Sequence, residues 1–414
     1  MGDTTTARGP VVVTGLSAIA PGGSGAEEFW RLVLDGGCGL GPVTHFGTDG
    51  FPVHVAGEVH ADGTLPGIDP RLAVQTDRWT QFALLAGEEA LADARVGPEG
   101  TAPYGLGVIT ASSSGGNAFG QREIQALWSK GPRHVGPYQS IAWFYAATTG
   151  QLSIRHGMRG PCHVAVAEQA GGLDAIAQAR RAVVTGDAEV VLTGGTEAPL
   201  SPYALACQTT SGRLSAGTDP ERAYTPFDAG AAGHVPGEGG ALLVVESRDA
   251  ARRRGVDRPY GEIAGHAATF DPAPGAGPAG HDSLRRAVEL ALADARVDAS
   301  DIDMVFADAA ATPELDRAEA ACLAEVFGAG GVPVTAPKAR YGRLYAGGAP
   351  LDVVTALLAL RDQVIPPTGP HVRADPALGI DLVTRPRETP LHTALVIARG
   401  YGGFNSALVV RGLT

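Results

Sequence analysis

The stretch His163-Val-Ala-Val-Ala-Glu-Gln-Ala-Gly-Gly-Leu-Asp174 has the layout of a nucleophile's seat. Val164 to Ala167 predicts a short buried strand, with β-branched residues alternating with small ones. From Gly171 onward, Leu173 to Val183 predicts a helix, with Leu173, Ile176, Ala177 and Arg180 along one stripe. A strand that turns sharply into a helix aims one side chain at the helix N-terminus. Backbone N–H groups and the helix dipole can activate a nucleophile there. The residue on this turn is Gln169. A carboxamide has no ionisable proton and a delocalised nitrogen lone pair, so it cannot attack a thioester. The seat holds a non-nucleophile.

The elements that must position this turn follow a βα alternation. Strands are predicted at Val11–Leu16, 105–110, 188–193 and 240–246, and helices at Ala26–Leu34, 77–94 and 117–129. Ser112-Ser-Ser-Gly-Gly116 predicts an N-cap for that last helix, and Gly131-Pro132 its stop. The second half restarts the pattern. Strands are predicted at 261–265 and 302–307, and helices at 282–295, 314–327 and 351–360. Paired strands near 392–398 and 406–411 close the chain, and 271–278 predicts an extended loop. Two βα-rich halves, 1–250 and 251–414, predict an α/β fold with a duplicated layered architecture.

Composition narrows the function. The 414 residues suit two fused halves or one large unit. A net charge of −12 argues against nucleic acid, which needs a basic face, and offers no global attraction to an acidic carrier protein. Cys38, Cys162, Cys207 and Cys322 form no CxxC pattern, and a reducing cytoplasm is expected. Met1 to Arg8 lacks an apolar h-region, and no 18-residue apolar run occurs, so a soluble intracellular chain is expected. The eleven histidines include no HxxH or HxxxH pair, so no metal site is expected. Gly194-Gly195 and Gly402-Gly403 lack the spacing of a phosphate cradle. Arg252-Arg-Arg254 predicts a solvated charge cluster at a helix end, and Trp128, Trp143 and Phe144 are expected in the core, the alternative reading being the lining of a tunnel.

In its motifs the chain resembles the ketosynthase branch of the thiolase superfamily, and within it the chain length factors of type II aromatic polyketide synthases. The likeness runs from Val13-Thr-Gly-Leu through Pro226-Phe-Asp-Ala-Gly-Ala-Ala-Gly-His-Val-Pro-Gly-Glu-Gly-Gly240 to Gly400-Tyr-Gly-Gly-Phe-Asn405. It implies a thiolase fold of layered α-β-α-β-α architecture. Active members place a cysteine on the elbow and two histidines beside it, which stabilise the enolate left by malonyl decarboxylation. Here the three positions are Gln169, Asp308 (four residues before Thr312-Pro313) and Arg343, in Lys338-Ala-Arg-Tyr-Gly-Arg343. Asp316, Glu319 and Lys338, which frame those motifs, are kept. The resemblance therefore implies no condensation by this chain alone.

What it implies instead is one subunit of a heterodimer with a cysteine-bearing ketosynthase alpha subunit. An acyl carrier protein would deliver extender units on phosphopantetheine, with no cofactor on this chain. The growing poly-β-ketone would enter a tunnel lined by Asn117, Gly120, Ile124 and Ile141. Asn117, Gly120 and Ile124 share one helix face at i, i+3, i+7, and the small side chains at 117 and 120 imply room for a long product. The other reading of Gly120 is close helix packing. Asp308 and Arg343 are expected to form an ion pair in the emptied pocket. The glycine turn at 400–404 would leave the Tyr401 N–H of an oxyanion hole with nothing to use it. The alternative function is a self-sufficient acyltransferase or a malonyl decarboxylase using Gln169.

Overall fold

The structure, a computed structural model, describes residues 9–59, 65, 67–97, 101–102, 104–272 and 281–413. The first eight residues lie outside it, as does the expected 271–278 loop past Pro272.

Eleven strands follow one continuous path through the main sheet. Its order is Asp381–Leu382, Pro333–Thr335, Met304–Phe306, Thr393–Gly400, Phe404–Arg411, Gly261–Phe270, Val11–Leu16, Gly239–Ser247, Val190–Glu197, Leu106–Ala111 and Cys162–Ala165. The two halves repeat one pattern of orientations. Leu106–Ala111 runs parallel to both its neighbours, and so does Met304–Phe306. In each half the next two pairings are antiparallel. Antiparallel pairing of Val11–Leu16 with Gly261–Phe270 joins the halves. The same strand order and the same pattern of orientations twice in one chain is the duplication expected from the alternation of elements.

Two helices fill the space between the half-sheets. Glu168–Thr185 and Gly348–Asp362 touch each other, and each packs on strands from both halves. Residues 348 to 360 of the second helix are buried without a break, the signature of a helix enclosed on all sides. Gly172 permits the crossing, because a Cβ there would lie 2.4 Å from Pro350 Cδ. Arg78–Asp93 covers the outer face of the first half-sheet and His281–Ala295 that of the second, which completes five layers. Among the described residues no helix is long and apolar enough to cross a membrane.

Several expectations need correction. The elbow strand is Cys162–Ala165 and its helix begins at Glu168, three residues earlier than the stripe suggested. Gln169 therefore sits in the helix's first turn. The serines before Asn117–Lys130 do not cap it: the N-cap is Gly116, with no side-chain hydrogen bond. Arg254 is not solvated charge. Its guanidinium donates to the fully buried Glu246 carboxylate (Nε to Oε2, 3.1 Å) and to Ala94 C=O at 3.0 Å. Trp128, Trp143 and Phe144 are not core, being 82%, 44% and 54% exposed. Aromatic type alone gave no hint of which layer would cover them.

Candidate functional site

Glu168 makes the elbow. It has φ 51°, in the left-handed region that a non-glycine residue rarely adopts, and this turns the chain from strand to helix within two residues. Gln169, next along, is fully buried. Its Nε2 donates to Asp308 Oδ1 at 2.9 Å. Asp308 follows the end of the strand Met304–Phe306, the second half's counterpart of Leu106–Ala111, so the duplication brings the two together.

Asp308 is the hub of the site. Besides Gln169, its Oδ1 accepts from Arg343 Nη2 at 3.1 Å and from the Arg399 N–H at 2.8 Å, and its Oδ2 accepts from Arg343 Nη1 at 3.3 Å. Arg343 also donates to Arg399 C=O at 2.6 Å. Burial pushes the Asp308 carboxyl up. Arg343, Lys338 and the Arg399 N–H outweigh burial and hold it below the usual carboxylate range. Glu319, Lys338 and Asp316 fix this loop and its surroundings in turn. Glu319 accepts the N–H groups of Asp308 and Ala309 at 2.7 and 2.9 Å. Lys338 Nζ meets Asp352 at 2.6 Å and donates to Ala307 C=O at 2.7 Å. Asp316 accepts the Phe227 N–H at 2.6 Å.

The Tyr401 N–H is not left idle. It donates to Glu168 Oε2 at 2.8 Å, while Glu168 Oε1 lies 3.7 Å from Arg343 Nε. A carboxylate of this chain thus takes the N–H that was expected to stand unused. Nothing in the motif spacing signalled that partner. Above the cluster is a cavity of about 860 Å³, lined by Glu168, Asp308 and Arg343 together with Arg213, His234, Tyr345, Arg399 and Tyr401. Gln169 does not line it. Burial first, and Arg343 next, push His234 well below the usual histidine range, so its imidazole is neutral and no proton donor at neutral pH.

The four residues expected to line a tunnel lie elsewhere. Asn117 and Gly120 are buried on one face of Asn117–Lys130, whereas Ile124 and Ile141 are 49% and 41% exposed. None of them lines the cavity over Asp308. Two buried carboxylates hold the start of this helix. Asp77 Oδ2 accepts the Phe119 N–H at 2.7 Å, tying the helix to Arg78–Asp93. Glu197, at the end of its strand, accepts from Ser112 Oγ and Ser114 Oγ at 3.3 Å each and from the Ser113 N–H. Burial pushes Asp77 up to about 6 and Glu197 up to about 8. The serine run read as a cap is a landing site for Glu197. His281, Asp282 and Glu325 also come together, and Arg285 pairs with both carboxylates.

Family models match across the chain: "Beta-ketoacyl synthase, N-terminal domain" over residues 8–251 and "Beta-ketoacyl synthase, C-terminal domain" over residues 260–371. The chain is 58% identical to the tetracenomycin polyketide synthase ketoacyl synthase beta subunit of Streptomyces glaucescens, covering 98% of this chain and 99% of that one. It is 53% identical to the actinorhodin polyketide putative beta-ketoacyl synthase 2 of Streptomyces coelicolor, covering 97% and 98%. Among solved structures, the ishigamide ketosynthase/chain length factor superposes with a TM-score of 0.89 at 25% identity, over 99% of this chain and 100% of that one. A type II polyketide synthase acyl-carrier protein in complex with its ketosynthase bound to the hexaketide gives 0.87 at 26%, over 98% and 100%.

Proposed function

The chain belongs to the beta-ketoacyl synthase family, and from that premise we propose that it is a chain length factor of type II polyketide biosynthesis. It pairs with a cysteine-bearing ketosynthase alpha subunit and shapes the poly-β-ketone grown there. The 1–250 and 251–414 halves, and the tunnel assignment of Asn117, Gly120, Ile124 and Ile141, are part of this proposal. So are the degenerate catalytic positions Gln169, Asp308 and Arg343. The acyl carrier protein brings extender units to the complex on its phosphopantetheine arm.

The observation that carries the reading is the filled nucleophile seat. Gln169 is sealed under the cavity and bonded to a carboxylate, which is paired in turn with Arg343 where an active enzyme needs an imidazole. An ionised Asp308 beside the elbow repels any thiolate or enolate formed there. Glu168 occupies the Tyr401 N–H. Both features argue against the alternative of a self-sufficient acyltransferase or a malonyl decarboxylase at Gln169.

A partner surface supports the heterodimer. The strand Cys162–Ala165 ends the sheet, its outer edge unpaired among the described residues. Ile154, Val166, Trp128 and Phe144 are exposed. An open edge and exposed large apolar side chains are liabilities unless another chain covers them. The test is native mass after co-expression with the cysteine-bearing ketosynthase. A one-to-one complex of about twice the 42.2 kDa chain mass is expected. A stable homodimer that ignores that partner overturns the reading, as does carbon dioxide release from malonyl thioester by the chain alone.

A further inference from the structure

The residue that opens tunnel depth on the reading above, Gly120, has no empty space beside it. A Cβ built at Gly120 would lie 2.8 Å from Trp143 Cδ1, 3.5 Å from Nε1 and 3.6 Å from Cγ. The edge of the indole therefore rests on the helix backbone. The glycine is required by a neighbour's bulk, and the neighbour holds the volume.

The backbone under that indole is fixed. The Gly116 N–H donates to Trp143 C=O at 3.2 Å. A Cβ at Gly116 would come within 2.1 Å of Ala142 O, and one at Gly115 within 2.5 Å of Trp143 O. Two glycines on the approach to the helix, and Gly120 within it, thus admit the 142–145 segment at close range. Tyr145 lies beyond, its ring centroid 6.3 Å from that of Trp143. Asp77 and Glu197 hold the helix start from the other side. The indole is bracketed, yet it remains 44% exposed, as Ile124 and Ile141 remain 49% and 41% exposed.

We propose that Trp143 is a specificity-determining residue for chain length, its indole filling the space that Gly120 opens on the tunnel-facing side of Asn117–Lys130. The proposal rests on the chain-length-factor reading. An indole has about three times the heavy atoms of one two-carbon ketide unit, so its removal from a close-packed wall makes room for further extension. A bulky residue at 120 acts by expelling the indole toward the growing chain, not by filling a void.

The test uses the full complex: this chain, its cysteine-bearing partner, the carrier protein and malonyl extender, with product length read by mass spectrometry. Trp143→Ala is expected to move the product distribution to longer chains by at least one ketide unit, and Trp143→Phe to move it the same way by less. Gly120→Phe shortens the product in the native background. In the Trp143→Ala background it returns the product toward native length, because the phenyl ring then occupies the vacated site. If Trp143→Ala leaves the length unchanged while Ile124→Phe shortens it, the chain-length reading stands and the role of Trp143 is overturned. If Trp143→Ala, Gly120→Phe and Ile124→Phe all leave it unchanged, the chain-length reading fails and the proposal falls with it. Should Trp143→Ala not co-purify with the partner, Trp143→Phe decides by the same criterion.

Discussion

Removing Arg343 isolates the energetics of the degenerate site. In Arg343→Met the side chain keeps an unbranched apolar stem and loses its charged guanidinium. Asp308, 1% exposed, loses the guanidinium contacts at 3.1 and 3.3 Å and keeps only the Gln169 amide and the Arg399 N–H on its carboxylate. Breaking one side of a buried pair costs about 3–5 kcal/mol, because the remaining charge is left uncompensated. For a chain of this length the melting temperature falls by roughly 1 °C per kcal/mol, so a drop of about 3–6 °C is expected by calorimetry. The pH dependence has a definite sign. In the native chain Asp308 is held below its ordinary value, so its contribution is present above that value and is lost as pH falls through the folded pKa. Without Arg343 the largest opposing charge is gone and burial pushes the carboxyl up from its native position, so the deficit of the variant shrinks as pH falls through the carboxylate range. Asp308→Asn combined with Arg343→Met removes both charges and recovers most of the loss, since a buried pair is worth little against neutral neighbours. A single variant within about 0.5 kcal/mol of the native chain, or a double variant no better than the single, would refute the reasoning.

Two other outcomes follow from the same geometry. Gln169→Cys restores a thiol on the elbow, but the Asp308 carboxylate beside it disfavours the thiolate and Glu168 still holds the Tyr401 N–H. No condensation is expected from that variant without the partner, and incorporation of labelled malonyl units by it alone would contradict the assignment. Glu197, pushed by burial to about 8 from 4.5, binds a proton in the folded state that the unfolded chain has released. Stability therefore falls as pH rises from about 4.5 to about 8, by up to ~1.4 kcal/mol per pH unit from this group. Glu197→Gln removes that slope, so denaturant unfolding at pH 5 and pH 8 differs less than in the native chain. An unchanged slope would mean that Glu197 is ionised in the fold.

The alternation of strands and helices, the near-exact bounds of Ala26–Leu34 and Pro313–Phe327, the elbow and the stop at Gly131 are written in residue order. Apolar period, turn residues and caps act over a few neighbours, and a sequence displays those directly. The ion pair of Asp308 and Arg343, expected from the motifs that hold them, is present at 3.1 Å. Other choices were made only when distant segments met. The Tyr401 N–H found Glu168 across 233 positions, the serine run found Glu197 across about 84, and Arg254 was drawn to Glu246 by that carboxylate's burial. Gly120 reads in the sequence as a small residue that leaves room, and the fold lays Trp143 over it. In each case residue type fixed what a side chain could do. The packing of the two half-sheets around Glu168–Thr185 and Gly348–Asp362 decided which partner would be within reach, because burial forces each polar group to take the nearest complement and each gap to be filled.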